Sequence, residues 1–267
     1  MTRLLIRTTI AVILAAPIGW AVWASLQPID RIFTESVAAT SGAAQAPQWE
    51  NYRLAMTRLP MWRFILNSLL ITSAAVVGTV LSASMAAYSF TRHDWRGRRI
   101  WLGLAFIAMM LPTQMLVIPQ FLIFQHLGWV NTYKPLIVPA WLGGSAFSIL
   151  LFYQFFKGVP HSYQDAARLD GATDWQAYWC IMLPMSKPVI GAVIAISFVA
   201  HWQAFLAPLI YLSDYERYPV SVGLQMFQSL EGSWANLTMA ASIVALLPPL
   251  AITLISQRYL MRSLSSR

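Results

Sequence analysis

The chain is predicted to be an all-α, polytopic membrane bundle with six transmembrane helices, and three observations point there. Of its 267 residues 58% are hydrophobic and only 10% charged, where a soluble domain carries about 25% charged residues. Six runs lack Asp, Glu, Lys and Arg altogether: Thr8–Ile29, Phe64–Thr91, Ile100–Tyr133, Pro135–Phe156, Pro188–Ser213 and Gly232–Gln257. Each is long enough to cross a hydrocarbon layer of about 30 Å as a helix. The apolarity is continuous, without the residue-by-residue alternation of a membrane β-barrel.

In chain order, the first run follows Arg3 and Arg7. It exceeds the apolar core of about 7–15 residues of a secretory signal, and Trp20 and Trp23 crowd the place where small residues would mark cleavage. A retained anchor is therefore expected over a cleaved leader. The small and polar residues 36–63 read as an exterior loop. The third run is too long for one span, and Pro112, Pro119 and the stretch HLGWVN predict that its second half bends into a re-entrant or loop segment. The lone Cys180 excludes a disulfide framework or a cysteine metal cluster.

Orientation follows from the basic residues flanking the runs. With the N-terminus inside, the inner segments carry twelve Lys or Arg and four Asp, a net of +8, while the outer segments carry six basic and six acidic residues. Both termini are thus expected in the cytoplasm. The basic residues sit at the ends of apolar runs and form no aromatic-interleaved stripe, so nucleic acid is not the expected partner.

The stretch HSYQDAARLDGATDWQAYWCIMLP, residues 161–184, sets Asp165, Asp170 and Asp174 into this apolar chain. Ser162 and Asp165 have capping-box spacing and predict the start of a short helix that stops at Gly171, a residue free to turn left-handed. Thr173 and Gln176 predict a second capping box, opening a helix that runs to Pro184. Ala166, Ala167 and Ala172 leave little side chain, so another protein's surface could approach closely. Three aspartates without His, Cys or Glu beside them make neither a metal set nor an acid–base pair. An amphipathic loop among lipid headgroups is the alternative, but such a helix should be basic and this one is acidic.

These residues resemble the EAA loop of ATP-binding-cassette importer permeases, Glu-Ala-Ala, two residues, Asp-Gly-Ala, then about eight residues to Ile-x-Leu-Pro. Asp165, Ala166 and Ala167 fall on the first element, Asp170, Gly171 and Ala172 on the second, and Ile181, Leu183 and Pro184 on the last. Asp165 stands where the pattern has Glu, keeping the charge with a shorter reach. FILNSLLITSAAVVGTVLSASMAAYSFTRHDWRGRR, MMLPTQMLVIPQFLIFQHLGWVNTY and WQAFLAPLIYLSDYERYPVSVGLQMFQ are similar, in order and spacing, to the carbohydrate-type branch, in particular its maltose-permease G-like members. The resemblance implies a single transmembrane permease domain over residues 1–267, with an anchor span at about 8–29, core spans at about 64–260 and a cytoplasmic coupling loop at about 158–186. It further implies import of a sugar or sugar-like solute by alternating access, with glycerol phosphate or another solute as the alternative. The implied partners are a second permease subunit, two ATPase subunits or domains that hold ATP and Mg, an extracytoplasmic solute-binding protein and the lipid of a bacterial inner membrane. No cofactor is expected in this chain, which has no G-x-x-x-x-G-K-[ST] loop.

Within the runs, Gln114, Gln120, Phe121, Trp202, Gln203 and Phe205 are the candidate substrate path, because sugars need amide hydrogen bonds and aromatic faces. The competing reading of each amide is helix–helix adhesion. Met109, Met110 and Met115 are expected to fill gaps in the core or pack a gate rather than bind copper, since no Cys or His accompanies them. An ion-coupled carrier would show charges inside the spans or inverted repeats, and neither is evident.

Overall fold

The structure, a computed structural model, describes residues 2–28, 46–229 and 234–264. The ends of the first and last predicted spans and much of the predicted exterior loop fall on residues 29–45 and 230–233, outside the described residues. The described residues are helical and carry no strand. In order they are α1 (Thr2–Ser25), α2 (Glu50–Arg58), α3 (Met61–Arg92), α4 (Arg98–Met110), α5 (Thr113–His126), α6 (Lys134–Trp141), α7 (Ala146–Gly158), α8 (Ser162–Leu169), α9 (Asp174–Met185), α10 (Lys187–Trp202), α11 (Leu206–Tyr211), α12 (Val220–Ser229) and α13 (Ala235–Leu264). Four stretches are long and apolar enough to cross a membrane: Arg7–Ser25, Met61–Arg92, Lys134–Gly158 and Ala235–Gln257. Two bent pairs, α4 with α5 and α9 with α10, raise the number to six if each pair is one span.

The predicted bend in the third run lies where proline demands it. α4 ends at Met110, Leu111 and Pro112 are extended (Pro112 φ −65°, ψ 128°), and the helices on either side diverge by 110°. Met109, Met110 and Met115 flank this corner and are exposed, Met110 to 83%. They do not fill the core of this chain, which corrects the core-filling half of that expectation. The fourth run also breaks, at Gly143 (φ +83°) and Gly144, whose added Cβ would lie 2.4 Å from the Pro139 carbonyl oxygen.

The chain divides into two compact units, Met1–Asn67 with Tyr218–Pro248, and Ser68–Arg217 with Pro249–Arg267. In the first, the buried Asn51 of α2 donates to the carbonyls of Ser25 (2.8 Å) and Gln27 (3.1 Å) and accepts from Asn236 at 3.3 Å, tying α1, α2 and α13 through one amide. Most of the described α1 side chains are apolar and exposed.

In the second unit, α3, α7, α9 and α10 share a core of Ala83, Ala87, Tyr88, Ile149, Phe152, Phe156, Val159, Tyr178, Met182 and Val193. Ala83 and Ala87 lie one turn apart on α3, and Tyr178 bonds Ser84 between them through its hydroxyl at 2.7 Å. A second close approach is at Gly78, where an added Cβ would lie 2.3 Å from the indole of Trp141. That indole donates to the Ala74 carbonyl at 3.0 Å.

Candidate functional site

The segment from Ser162 to Met185 is a helix, a glycine corner and a second helix. α8 is closed by a complete Schellman motif: Ala172 N–H bonds the Ala167 carbonyl at 2.9 Å and Gly171 N–H the Arg168 carbonyl at 3.0 Å, with Gly171 at φ +82°. Thr173 is extended, its hydroxyl accepts from Gln176 N–H at 3.3 Å, and the Gln176 side chain accepts from Thr173 N–H at 2.8 Å. The second predicted capping box is therefore formed. The first is not. His161, with helical dihedrals (φ −62°, ψ −28°), precedes α8, and Ser162 is already inside the helix with no side-chain cap. Capping needs an extended residue at the boundary, and here the chain enters the helix too early.

Pro184 does not end α9, a further correction. Pro184 has no N–H for the Cys180 carbonyl, and its ring would press on that turn. The helix instead widens into a π-turn over Tyr178–Met182, in which Leu183 N–H reaches back five residues to the Tyr178 carbonyl. It then continues to Met185, and the direction changes by 75° into α10 beyond Ser186.

α8 has two faces. Gln164 and Ala167 are buried, while Asp165, Ala166, Leu169 and Asp170 point outward, Leu169 to 89%. Ala167 therefore serves inward packing instead of opening the surface as expected. Gly171 and Pro184 are exposed, and Ala172, Ile181 and Leu183 half-buried. A shallow depression lined by Asp170, Gly171, Ala172, Gln176, Cys180 and Ile181 marks the outer side of the corner.

The inner side is pinned by Asp174, in the first turn of α9 and in the loop ahead of the α10 span. Its Oδ1 accepts from Arg168 Nη2 at 2.9 Å and Gln164 Nε2 at 3.3 Å, and its Oδ2 lies 3.3 Å from His93 Nε2. Its backbone carbonyl accepts from the Tyr88 hydroxyl at 3.2 Å. The Arg168 hydrogen bond, opposed by partial burial and helped by weaker bonds from His93 and Gln164, holds the Asp174 carboxyl below the ordinary carboxylate range. The loop is thus bound to the end of α3 at Tyr88 and His93. Beside it, buried Arg92 donates through Nη2 to the carbonyls of Phe156 (2.8 Å) and Val159 (2.7 Å), the end of α7 just before the loop. A cation there satisfies carbonyls that a helix leaves open at its C-terminus.

The candidate path residues are only partly brought together. Gln120 accepts from the Tyr211 hydroxyl at 3.3 Å, and Phe121 stacks on the same ring at 6.5 Å. Trp202 is 6% exposed and stacked on Phe198 at 5.5 Å, so its face is used in packing. Gln203, just past α10, and Phe205 are exposed, and Gln114 lies in the first turn of α5.

Residues 78–266 match the binding-protein-dependent transport system inner membrane components. The chain belongs to this family. It is 27% identical over 96% of its length to the diacetylchitobiose uptake system permease protein NgcG of Streptomyces coelicolor, covering 84% of that protein. It is 32% identical to the sn-glycerol-3-phosphate transport system permease protein UgpE of Yersinia enterocolitica (77% of this chain, 73% of that one). The arabinooligosaccharides transport system permease protein AraQ of Bacillus subtilis is 31% identical (76% and 72%). The fold matches a chain of a bacterial ABC transporter involved in the import of the acidic polysaccharide alginate, with TM-score 0.81, 21% identity and coverage of 97% and 95%. The chain is thus the multi-pass permease of an ABC importer, a transmembrane subunit and not itself the ATPase.

Sequence reasoning missed three groups that organise this permease. Asn131, at φ +58°, takes Ser213 N–H (3.2 Å) and Asp214 N–H (3.0 Å) on its side chain and donates its own N–H to Tyr211 O at 2.7 Å. Tyr211 supports Gln120 and Phe121 as above. In the sequence Arg92 reads only as one more basic residue at the end of an apolar run. The one local signal is the residue type at 131, since Asn tolerates the left-handed region that a tight turn needs. The other two contacts join residues more than sixty apart in sequence.

Proposed function

We propose that the permease carries a sugar or short oligosaccharide inward, and that residues 162–176 transmit the stroke of its ATPase partners. The observation that carries this reading is the two-faced corner. Its inner face is bound to α3 through Asp174, and its outer face presents Asp165, Ala166, Leu169 and Asp170 to a partner. Such an element moves as a unit when pushed, which alternating access requires. Asp165 is the polar contact to the ATPase, Gly171 the corner, and Ala166 and Ala172 the places of close approach. Ile181, Leu183 and Pro184 carry the push toward α10.

The assembly comprises a second permease subunit, two ATPase subunits or domains that hold ATP and Mg, and an extracytoplasmic binding protein. The charge asymmetry of the flanking segments supports cytoplasmic termini and a cytoplasmic corner in a bacterial inner membrane. The oligosaccharide relatives support a carbohydrate cargo, delivered along a path that includes Gln120 and Phe121. The sn-glycerol-3-phosphate relative favours a second reading, a small phosphorylated polyol.

The test is uptake of labelled oligosaccharides, monosaccharides, polyols and glycerol phosphate in cells with and without the chain. Loss of carbohydrate uptake on deletion, abolished by ATP depletion and spared by a protonophore, supports the proposal. Loss of glycerol phosphate uptake alone selects the second reading, and uptake that follows the proton gradient overturns both.

A further inference from the structure

The turn joining α3 to α4, His93–Gly97, is basic, aromatic and concave. A depression of about 520 Å³ is lined by Asp94, Trp95, Arg96, Arg98, Arg99 and Ile100. Gly97 makes the turn at φ +91°, and a Cβ built on it would lie 3.8 Å from the rings of both Trp95 and Trp101, so two indoles bracket the corner. Trp95 is fixed by stacking on Phe90 at 5.8 Å, while Trp101 is 60% exposed. Arg98 is held in place by Asp94 at 2.6 Å and the His93 carbonyl at 3.1 Å. Arg96 and Arg99 are exposed. Immediately beyond, α4 exposes Ile100, Leu104, Phe106 and Ile107.

We infer that this turn is a binding site for the headgroup of an anionic phospholipid of the inner leaflet. Guanidinium groups match phosphate oxygens in planar, two-point geometry. Indoles settle at headgroup depth, and the apolar face of α4 continues where acyl chains would lie. Three arginines against one aspartate, Asp94, leave a net positive charge facing the anionic leaflet. A soluble phosphate would use the arginines but has no need of the indoles or the apolar face, so the occupant is lipid. The inference goes beyond the transport function and rests on the proposed orientation of this turn toward the cytoplasm.

The test uses the purified chain with its importer partners in nanodiscs containing phosphatidylcholine and phosphatidylglycerol. A photoactivatable phosphatidylglycerol is expected to crosslink within residues 95–107 of the unmodified chain, more than the phosphatidylcholine probe does. The combined Arg96→Gln, Arg98→Gln, Arg99→Gln variant should lose that preference by about fivefold per arginine, while Arg53→Gln in α2 leaves it unchanged. Because the unmodified chain is mapped directly, a poorly folding variant does not remove the test. Crosslinks that map elsewhere, equal labelling by the two lipids, or full displacement by inorganic phosphate would each overturn the inference. So would a triple variant that sheds its ATPase partners with lipid preference intact, since the turn would then be a protein docking surface.

Discussion

Arg168 and Asp174 face each other across the Gly171 corner, with Nη2 and Oδ1 2.9 Å apart, one from the last turn of α8 and the other from the first turn of α9. Both side chains are about half exposed, so solvent screens the pair and it contributes little to global stability. In the proposed coupling, the pair holds the two helices at their angle. Asp174→Asn is expected to leave membrane insertion and thermal stability nearly unchanged while lowering transport per ATP hydrolysed, as read from paired uptake and ATPase assays in proteoliposomes.

The same carboxylate sets a pH dependence. Its pKa in the folded chain is depressed below the ordinary value of 3.8, so its contribution is complete above that value and fades as pH falls through the lower, folded pKa. A stability difference between the native chain and Asp174→Asn should therefore be flat above about pH 5 and shrink only in strong acid. Thermal unfolding followed from pH 7 down to about pH 2 checks this.

At Gly171 nothing lies within 4 Å of an added Cβ, and the only obstacle is φ +82°. Gly171→Ala should cost about 1 kcal/mol, and Gly171→Asn less, because Asn tolerates the left-handed region. Transport should fall in the same order, glycine, asparagine, alanine, if the corner itself matters to coupling.

Gly78 differs because the obstacle is a side chain. Gly78→Ala would drive a methyl into the Trp141 indole and should destabilise by about 1–3 kcal/mol. Trp141→Ala in the same chain should recover part of that loss, measured as a non-additive double-mutant cycle.

Arg92→Ala removes two buried hydrogen bonds to the end of α7 and should cost about 2–4 kcal/mol. Arg92→Lys should fall between, since an ammonium can still reach one carbonyl. Detergent-solubilised thermal stability distinguishes the three.

Legibility followed the range of the physics involved. The bilayer forces long apolar helices, so the runs could be read directly, and Pro112 marked its own bend. The Gly171 corner and the Thr173–Gln176 box were legible because each closes within six residues. The proposed box at Ser162 failed because one residue of register at a helix start, where His161 is already helical, cancels the cap. Pro184 misled because a π-turn can absorb a proline that would stop an ordinary helix. The Trp141–Gly78 contact, the Arg92 bonds to α7 and the Tyr211–Gln120 pair join distant segments and leave no local pattern. Burial of Trp202 under Phe198 was hidden for the same reason.

If the outer face of α8 couples ATP hydrolysis to transport, Asp165→Ala in the reconstituted importer should separate the two. Asp165 is exposed and plays no capping role in this chain, so its removal should leave folding intact. The expected result is an assembled complex whose solute-stimulated ATPase activity persists while uptake falls at least about tenfold, equivalent to about 1.4 kcal/mol of lost coupling. Unchanged uptake with unchanged ATPase activity would contradict it.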